Sequence, residues 1–302
     1  MPLNTDVLNA FTVDVEDWYH ICGVEKFLSP SIWKSLESRV TIGTEKILDM
    51  LSKRHIKGTF FILGYIAERY PELVKKIFNE GHEISTHGYR HQTVYNLTPE
   101  EFREDLKKSI NILKNITGED ILGYRAPEWS IKKESYWALN IIKEEGLLYD
   151  SSVTPSWIIG DPEALPFPHQ IETENGTLNI FPPSTFKSIM GQLPFTGSWI
   201  MRLLPYNIIK KEVEKLNKLK MPAVSYLHSW EMDIHHPKIK LPWTKEFVHY
   251  VNLKECEDKF NRLLDDFKFV TIKDLLKYNH NSSYIKKIKL GSNNKEANLL
   301  LI

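Results

Sequence analysis

Hydrophobic residues along this chain follow two alternating patterns. Short, nearly unbroken apolar or β-branched runs at Leu8–Val15, Gly58–Leu63, Ile121–Arg125, Leu147–Asp150, Ala223–Leu227 and Phe269–Ile272 predict strands, and residues 82–86 alternate as a further one. Between them, apolar positions three and four apart predict amphipathic helices over 40–54 (Ile42, Ile47, Leu48, Leu51), 65–80, 98–114, 133–145, 207–219 and 253–266. Gly81 ends the second of these. Thr98–Pro99–Glu100–Glu101 opens the third, with Thr98 as N-cap, Pro99 at the first position and Glu101 closing a capping box. Strand alternating with helix favours a parallel sheet or barrel over an antiparallel sandwich.

The rhythm fails from Val153 to Pro205, a stretch rich in proline, glycine and aromatics with one expected strand at Leu178–Phe181. Long irregular insertions in compact domains are more often functional than idle, so this one reads as a lid or substrate wall. Within it Trp199 suits the apolar face of a sugar ring and Arg202 suits an anionic group. The competing reading is that its aromatics, Trp157, Phe181 and Phe195 among them, anchor a long loop. Residues 281–302 are polar and basic with an apolar end, NLLLI, and are expected to form a loosely held tail after a single domain over 1–280.

Composition narrows the classes. Of 302 residues 42% are hydrophobic and 12% aromatic, which describes a globular protein with a real core. Acidic and basic residues number 39 each, so no basic surplus points to nucleic acid. No run approaches the roughly eighteen apolar residues of a membrane span, so no stable membrane insertion is expected. The N-terminus lacks a basic segment followed by an apolar run, which makes the cytoplasm the expected location. Cys22 and Cys256 are too few for a disulfide framework.

The chemistry concentrates in HEISTHGYRHQ, residues 82–92. His87 and His91 stand four apart, a spacing that on a helical turn lets both imidazoles reach one point. That is a common way to offer neutral nitrogens to a divalent metal such as zinc. With 11 histidines in the chain such a pair can arise by chance, and its company decides the matter. Asp14, Glu16 and Asp17 close the first strand, with Asp14 and Glu16 on one side of it and Asp17 just beyond its end. Carboxylates so crowded are costly unless they share a cation or a proton. Arg125, Asp150 and the cluster opening at His228 also follow strands and precede helices. In parallel α/β folds the carboxyl ends of strands share one rim, so these segments converge. A carboxylate at 16 or 17 with His87 and His91 makes three metal ligands and leaves a place for water. Asp14 then serves as base, His228 as the acid for a leaving nitrogen, and Arg125 as the partner that keeps a carboxylate ionised. The reaction class is metal-assisted hydrolysis of an amide or ester.

TVDVEDW (12–18), STHGYRH (85–91), YRAPEWS (124–130), YDSS (149–152) and YLHSWE (226–231) resemble, in this order, the five motifs of the polysaccharide deacetylases, the NodB-homology or carbohydrate esterase 4 family. The resemblance covers about residues 8–275. The DVEDW opening, the Arg–Leu–Leu–Pro run at 202–205 and HYVNL at 249–253 resemble an intracellular branch found with exopolysaccharide and surface-glycan genes. It implies a distorted (β/α) barrel with fewer than eight regular strands, one divalent metal ion of the zinc type, and removal of N-acetyl groups from an amino sugar or glycan. It implies Asp14 as base, His87 and His91 as metal ligands, Arg125 as tether of the base, His228 as acid, and a backbone amide near Glu128 at the oxyanion. Glu128, Trp129, Asp150 and Trp230 lie in the same motifs and are expected to face substrate.

Two departures matter. Val15 stands where the family has the second of two adjacent aspartates, so the metal carboxylate is either Glu16 or Asp17, with Asp17 preferred at this point. Glu128 stands where an aromatic is usual. Some relatives hydrolyse ureide or cyclic amide bonds without metal, and a carbohydrate-binding homologue without turnover is the non-enzymatic alternative. The intact histidine pair counts against the first, and the set Asp14, His87, His91 and His228 against the second. His20, His235 and His236 are read as pocket or surface residues rather than ligands.

Overall fold

The computed structural model describes residues 7–21, 23–24, 27–157, 159–189, 191–279 and 287–289. Cys22 and most of the expected tail, NLLLI included, lie outside them. The organising element is β1 (Asn9–Val15), every residue of which is buried. A strand buried on both faces favours a largely apolar run over strict alternation, and in NAFTVDV the polar Asn9 and Thr12 are buried with hydrogen-bond partners, Asn217 and the Ser225 carbonyl. On one side β1 pairs in parallel with β2 (Thr59–Ile62), and β2 with β3 (Glu83–Thr86). The short β4 (Gly123–Tyr124) and β5 (Tyr149–Asp150) continue the parallel order. On the other side β1 pairs with β10 (Val224–His228), in a register that sets Asp14 opposite His228.

Helices cover the outside: α1 (Val40–Ser52), α2 (Gly64–Arg69), α3 (Pro71–Asn79), α4 (Pro99–Thr117), α5 (Trp137–Glu144), α7 (Tyr206–Lys218) and α9 (Cys256–Asp266). The capping box expected at Thr98 and Glu101 is present, and Gly118, at φ 74°, ends α4 in the left-handed conformation that glycine tolerates. The helix expected over 65–80 is divided at Tyr70, because Pro71 cannot continue a helix but can begin one.

Residues 153–205 are more regular than their composition indicated. They hold two antiparallel hairpins, β6 (His169–Thr173) with β7 (Gly176–Ile180) and β8 (Thr185–Ser188) with β9 (Gly191–Pro194), then α6 (Ser198–Leu203). β7 extends the parallel order beside β5. The chain then crosses the gap to β10: Phe181 donates its N–H to the Asp150 carbonyl (2.8 Å) and Ser184 to the Val224 carbonyl (3.1 Å). Backbone hydrogen bonds from one connecting segment therefore span the gap that a full strand would fill in a regular barrel. The fold is, as expected, α/β in a single domain, with a mainly parallel sheet covered by helices. A further helix, α8 (Trp243–Tyr250), follows directly on Pro242 and was not legible from periodicity.

Inside the ring Phe61, Tyr149 and Phe181 pack edge to face. The end away from the site is closed by β11 (Phe269–Val270) and α10 (Ile272–Asn279). The first N–H groups of α10 donate to the Thr59 hydroxyl (2.8 Å) and the Glu83 carboxylate (2.9 Å), the charge a helix N-terminus favours. β12 (Lys287–Lys289) pairs in parallel with β6. At that point the segment expected to be a loose tail is docked on the sheet edge, which its basic composition concealed.

Gly43 on α1 is where the helix meets the segment after β10. A Cβ there would lie 1.8 Å from the Ser229 carbonyl oxygen. Helix propensity alone favours alanine by about 1 kcal/mol. We expect the clash to win, so that Gly43→Ala lowers stability by about 1–3 kcal/mol in chemical denaturation. An unchanged or raised denaturation midpoint would contradict this packing.

Candidate active site

Strand ends place the site. Arg125, just past β4, is fully buried and pairs through one terminal nitrogen with Asp14 (2.7 Å), while the same nitrogen donates to the Thr12 hydroxyl (2.9 Å). Its other terminal nitrogen donates to the Ser151 hydroxyl (2.8 Å), and the guanidinium lies over the Phe61 ring at 4.2 Å. Asp150 does not face the cavity, contrary to its expected substrate role. It is buried and accepts from the Ser152 N–H (2.8 Å), the Ser152 hydroxyl (2.6 Å) and the Val153 N–H (3.2 Å). A carboxylate following the strand caps the next turn in this way, and the turn presents Ser151 to Arg125. Burial pushes the Asp150 carboxyl up to about 6.

His87 and His91 do converge, though not on a helical turn. They lie in a loop after β3 that reverses through left-handed backbone at Gly88 (φ 73°) and His91 (φ 54°). Asp105 on α4 holds that loop by accepting from the Tyr89 (2.7 Å) and Arg90 (3.2 Å) N–H groups. Both Nε2 atoms point at one oxygen of Glu16, His87 at 2.9 Å and His91 at 3.1 Å. The acid beside them is Glu16 and not Asp17. After Val15 the strand ends and Asp17 turns away, accepting from the Ser38 hydroxyl and from the Arg39 (3.1 Å) and Trp18 (3.0 Å) N–H groups. Glu16 keeps the side of the strand that Asp14 occupies, as period-two alternation requires. His20 is buried behind this turn, its Nδ1 accepting from the Asp17 N–H (3.0 Å).

The three atoms carry a proton constraint. His87 Nδ1 meets the Arg125 carbonyl at 2.8 Å, and a carbonyl only accepts, so the ring proton is on Nδ1. A ring carrying only that proton turns an Nε2 lone pair toward a carboxylate oxygen. Two acceptors at 2.9 Å repel unless a proton or a cation lies between them. Without a cation, burial would raise the Glu16 carboxyl, but the charge of His91 and the hydrogen bonds that protonated Nε2 atoms would donate outweigh it and hold it well below the usual range. One carboxylate oxygen and two imidazole nitrogens, buried and within 4.8 Å of one another, fit a divalent cation of the zinc type.

His228 lies across the cavity floor. Its Nδ1 meets the Glu231 carboxylate at 2.9 Å and its Nε2 is 3.8 Å from Asp14. Burial would lower its pKa; the bond to Glu231 and the charges of Glu16, Glu231 and Asp14 prevail and push it up to about 9. Trp230 stacks on its ring at 5.7 Å. Above them is a cavity of about 140 Å³ walled by Trp129, Trp199, Trp230 and Tyr226. Glu128, in the left-handed region at φ 57°, also lines it while accepting from the Gly23 N–H (3.0 Å).

The insert contributes to the wall through Trp199, whereas Phe181 and Phe195 are buried anchors and Trp157 is exposed. Arg202 is a correction: its side chain is buried, outside the cavity, and paired with Glu231 at 3.0 Å, so it offers no anion site to a substrate. His236 is buried against Trp230 and Tyr250 and is no pocket residue. His249 on α8 lines the cavity and escaped the sequence reading, as did Glu231, whose i+3 spacing from His228 was the available signal.

These elements define a parallel α/β protein with a carboxylate–dihistidine cluster beside an acid–base pair at its strand ends. Residues 32–147 match the family model described as polysaccharide deacetylase, and residues 151–277 match one described as a domain of unknown function (DUF3473). Residues 32–147 are thus similar to the polysaccharide deacetylases, and the DUF3473 match follows directly in the chain. It is similar to a peptidoglycan deacetylase of Helicobacter pylori, 30% identical over 40% of this chain and 42% of that protein. The chain thus spans less than half of that relative. Among solved structures, a Mycobacterium smegmatis protein assigned to the polysaccharide deacetylases superimposes with TM-score 0.65 at 20% identity, over 92% of this chain and 91% of that one. PuuE allantoinase superimposes with TM-score 0.59 at 16% identity, over 94% and 93%. Likeness at that level shows a shared fold.

Metal titration by calorimetry checks the cluster. Glu16→Gln, His87→Ala and His91→Ala should each abolish binding of one zinc ion per chain, and Asp17→Asn should leave it intact. Loss of binding in the Asp17 variant alone would assign the carboxylate wrongly.

Proposed function

We propose that this protein is a metal-dependent deacetylase that hydrolyses the N-acetyl amide of an amino sugar or glycan. The observation that carries the reading is the pairing of Asp14 with His228, 3.8 Å apart beside the Glu16–His87–His91 cluster, each held by its own buried partner, Arg125 and Glu231. The Helicobacter pylori relative is named for peptidoglycan deacetylation, which supports the same class.

A divalent ion bound at the cluster supplies Lewis acidity and lowers the pKa of water from 15.7 towards about 7. Asp14, oriented by Arg125, accepts the proton as water attacks the amide carbonyl. A backbone amide near Glu128 assists the oxyanion. His228 donates from Nε2 to the leaving nitrogen, and the C–N bond breaks to give acetate and a free amine. Trp129, Trp199 and Trp230 offer apolar faces to a sugar ring.

Two experiments test this. Zinc-loaded protein should release acetate from N-acetylated glucosamine oligosaccharides, and Asp14→Asn should lower turnover by at least about 100-fold while zinc stays bound. No acetate from loaded wild-type protein, or an active Asp14→Asn variant, would overturn the reading. The second concerns pH. Glu231 raises the His228 pKa, so the protonated donor survives to higher pH and activity falls as pH rises through that pKa. Glu231→Gln should move the alkaline limb of kcat/KM to lower pH; a limb that stays in place would remove His228 from the donor role.

A further inference from the structure

Arg202 comes from the insert, far in sequence from any motif residue, yet it is buried in direct contact with one. We propose that Arg202 is a positioning residue for the proton donor, acting through Glu231 to hold the His228 ring with its Nε2 directed at the reacting amide. This rests on the reading of His228 as the acid. Glu231 divides its two oxygens: Oε1 faces Arg202 Nε at 3.0 Å, as an ion pair without linear hydrogen-bond geometry, and Oε2 meets His228 Nδ1 at 2.9 Å and the His228 backbone N–H at 3.1 Å. Both side chains of the ion pair are essentially inaccessible to solvent.

The physical need is specific. A carboxylate buried beside an imidazolium alone can take the Nδ1 proton and leave two neutral groups, which low dielectric favours. The ring would then lose both its orienting bond and its charge. Arginine does not deprotonate in proteins, so a guanidinium on the far oxygen keeps Glu231 anionic and keeps the proton on Nδ1. The Nε2 proton is then the one transferred to the leaving nitrogen, whose electron pair comes from the breaking C–N bond; His228 is left neutral with Nδ1–H still on Glu231. The carboxylate of a serine-protease triad orients its histidine by the same logic.

Arg202 is itself fixed. Its terminal nitrogens donate to the carbonyls of Val248 (3.0 Å), His249 (3.0 Å) and Val251 (2.7 Å) at the end of α8, where a helix C-terminus favours a cation. Val248 and His249 line the cavity, so one buried charge joins the cavity wall to the proton donor. No acidic group other than Glu231 pairs with it among the described residues.

The test uses NMR of ¹⁵N-histidine-labelled protein, with the His228 ring signals assigned by their loss in His228→Gln. Wild type should show a downfield, slowly exchanging Nδ1–H. Arg202→Met should lose it and lower kcat by about 10- to 100-fold with KM within about twofold, and zinc stoichiometry should not change. Arg202→Lys, which keeps the charge, should recover part of the signal and part of kcat. If Arg202→Met does not fold, Arg202→Lys and the near-isosteric Glu231→Gln decide: the lysine variant should retain the resonance and the glutamine variant lose it. Persistence of the resonance and of kcat in Arg202→Met, or of the resonance in Glu231→Gln, would overturn the proposal. The resonance is read without substrate, so a wild type that releases no acetate would sink the deacetylase reading and leave this test standing.

Discussion

The buried Arg125 is the constraint on which the site depends. Its side chain holds Asp14, and its backbone carbonyl fixes the ring proton of His87. One residue thus orients Asp14 and places the Nδ1 proton of a cluster histidine. Burying an unpaired guanidinium would cost several kcal/mol, and the fold avoids that by surrounding it with Asp14, Thr12, Ser151 and the Phe61 face. Asp150 belongs to the same arrangement, since it shapes the turn that brings Ser151 into place.

The parallel register does the rest. Asp14 stands opposite His228 because β1 and β10 are in step, and Thr86 opposite Tyr124 because β3 and β4 are. Parallel strands in register deliver the residues that follow them to one rim. The DUF3473 region adds what the rim lacks. Within it lie His228, Glu231, Arg202, Trp199 and His249: the proposed proton donor, the two buried charges behind it, and much of the cavity wall. The family match over 32–147 contains the histidine pair and Arg125 but begins after Asp14 and Glu16. The site is assembled from all three stretches.

Much of this was legible from residue order. Strands ending in polar residues, helices at period 3.6 and the capping box at Thr98 are local signals, and each element formed near where it was expected. What stayed hidden depended on side-chain direction or on tertiary partners. Asp17 and Glu16 differ by one position, and only the turn after Val15, held by Ser38 and Arg39, shows which carboxylate leaves the cluster. Arg202 looks like an anion binder because arginines in irregular segments often are; its burial comes from packing against the end of α8, a short helix that periodicity did not reveal. The hairpins of the insert were concealed because glycine and proline mark turns without saying what they join.

The central claim is that a cation resolves the meeting of Glu16, His87 and His91. Anomalous diffraction at the zinc edge from crystals of zinc-loaded protein tests it directly. The account predicts one strong peak per chain, within bonding distance of a Glu16 oxygen and both Nε2 atoms, about 2.0–2.2 Å from each. A peak centred on Asp17, or none at this cluster under saturating zinc, would contradict it.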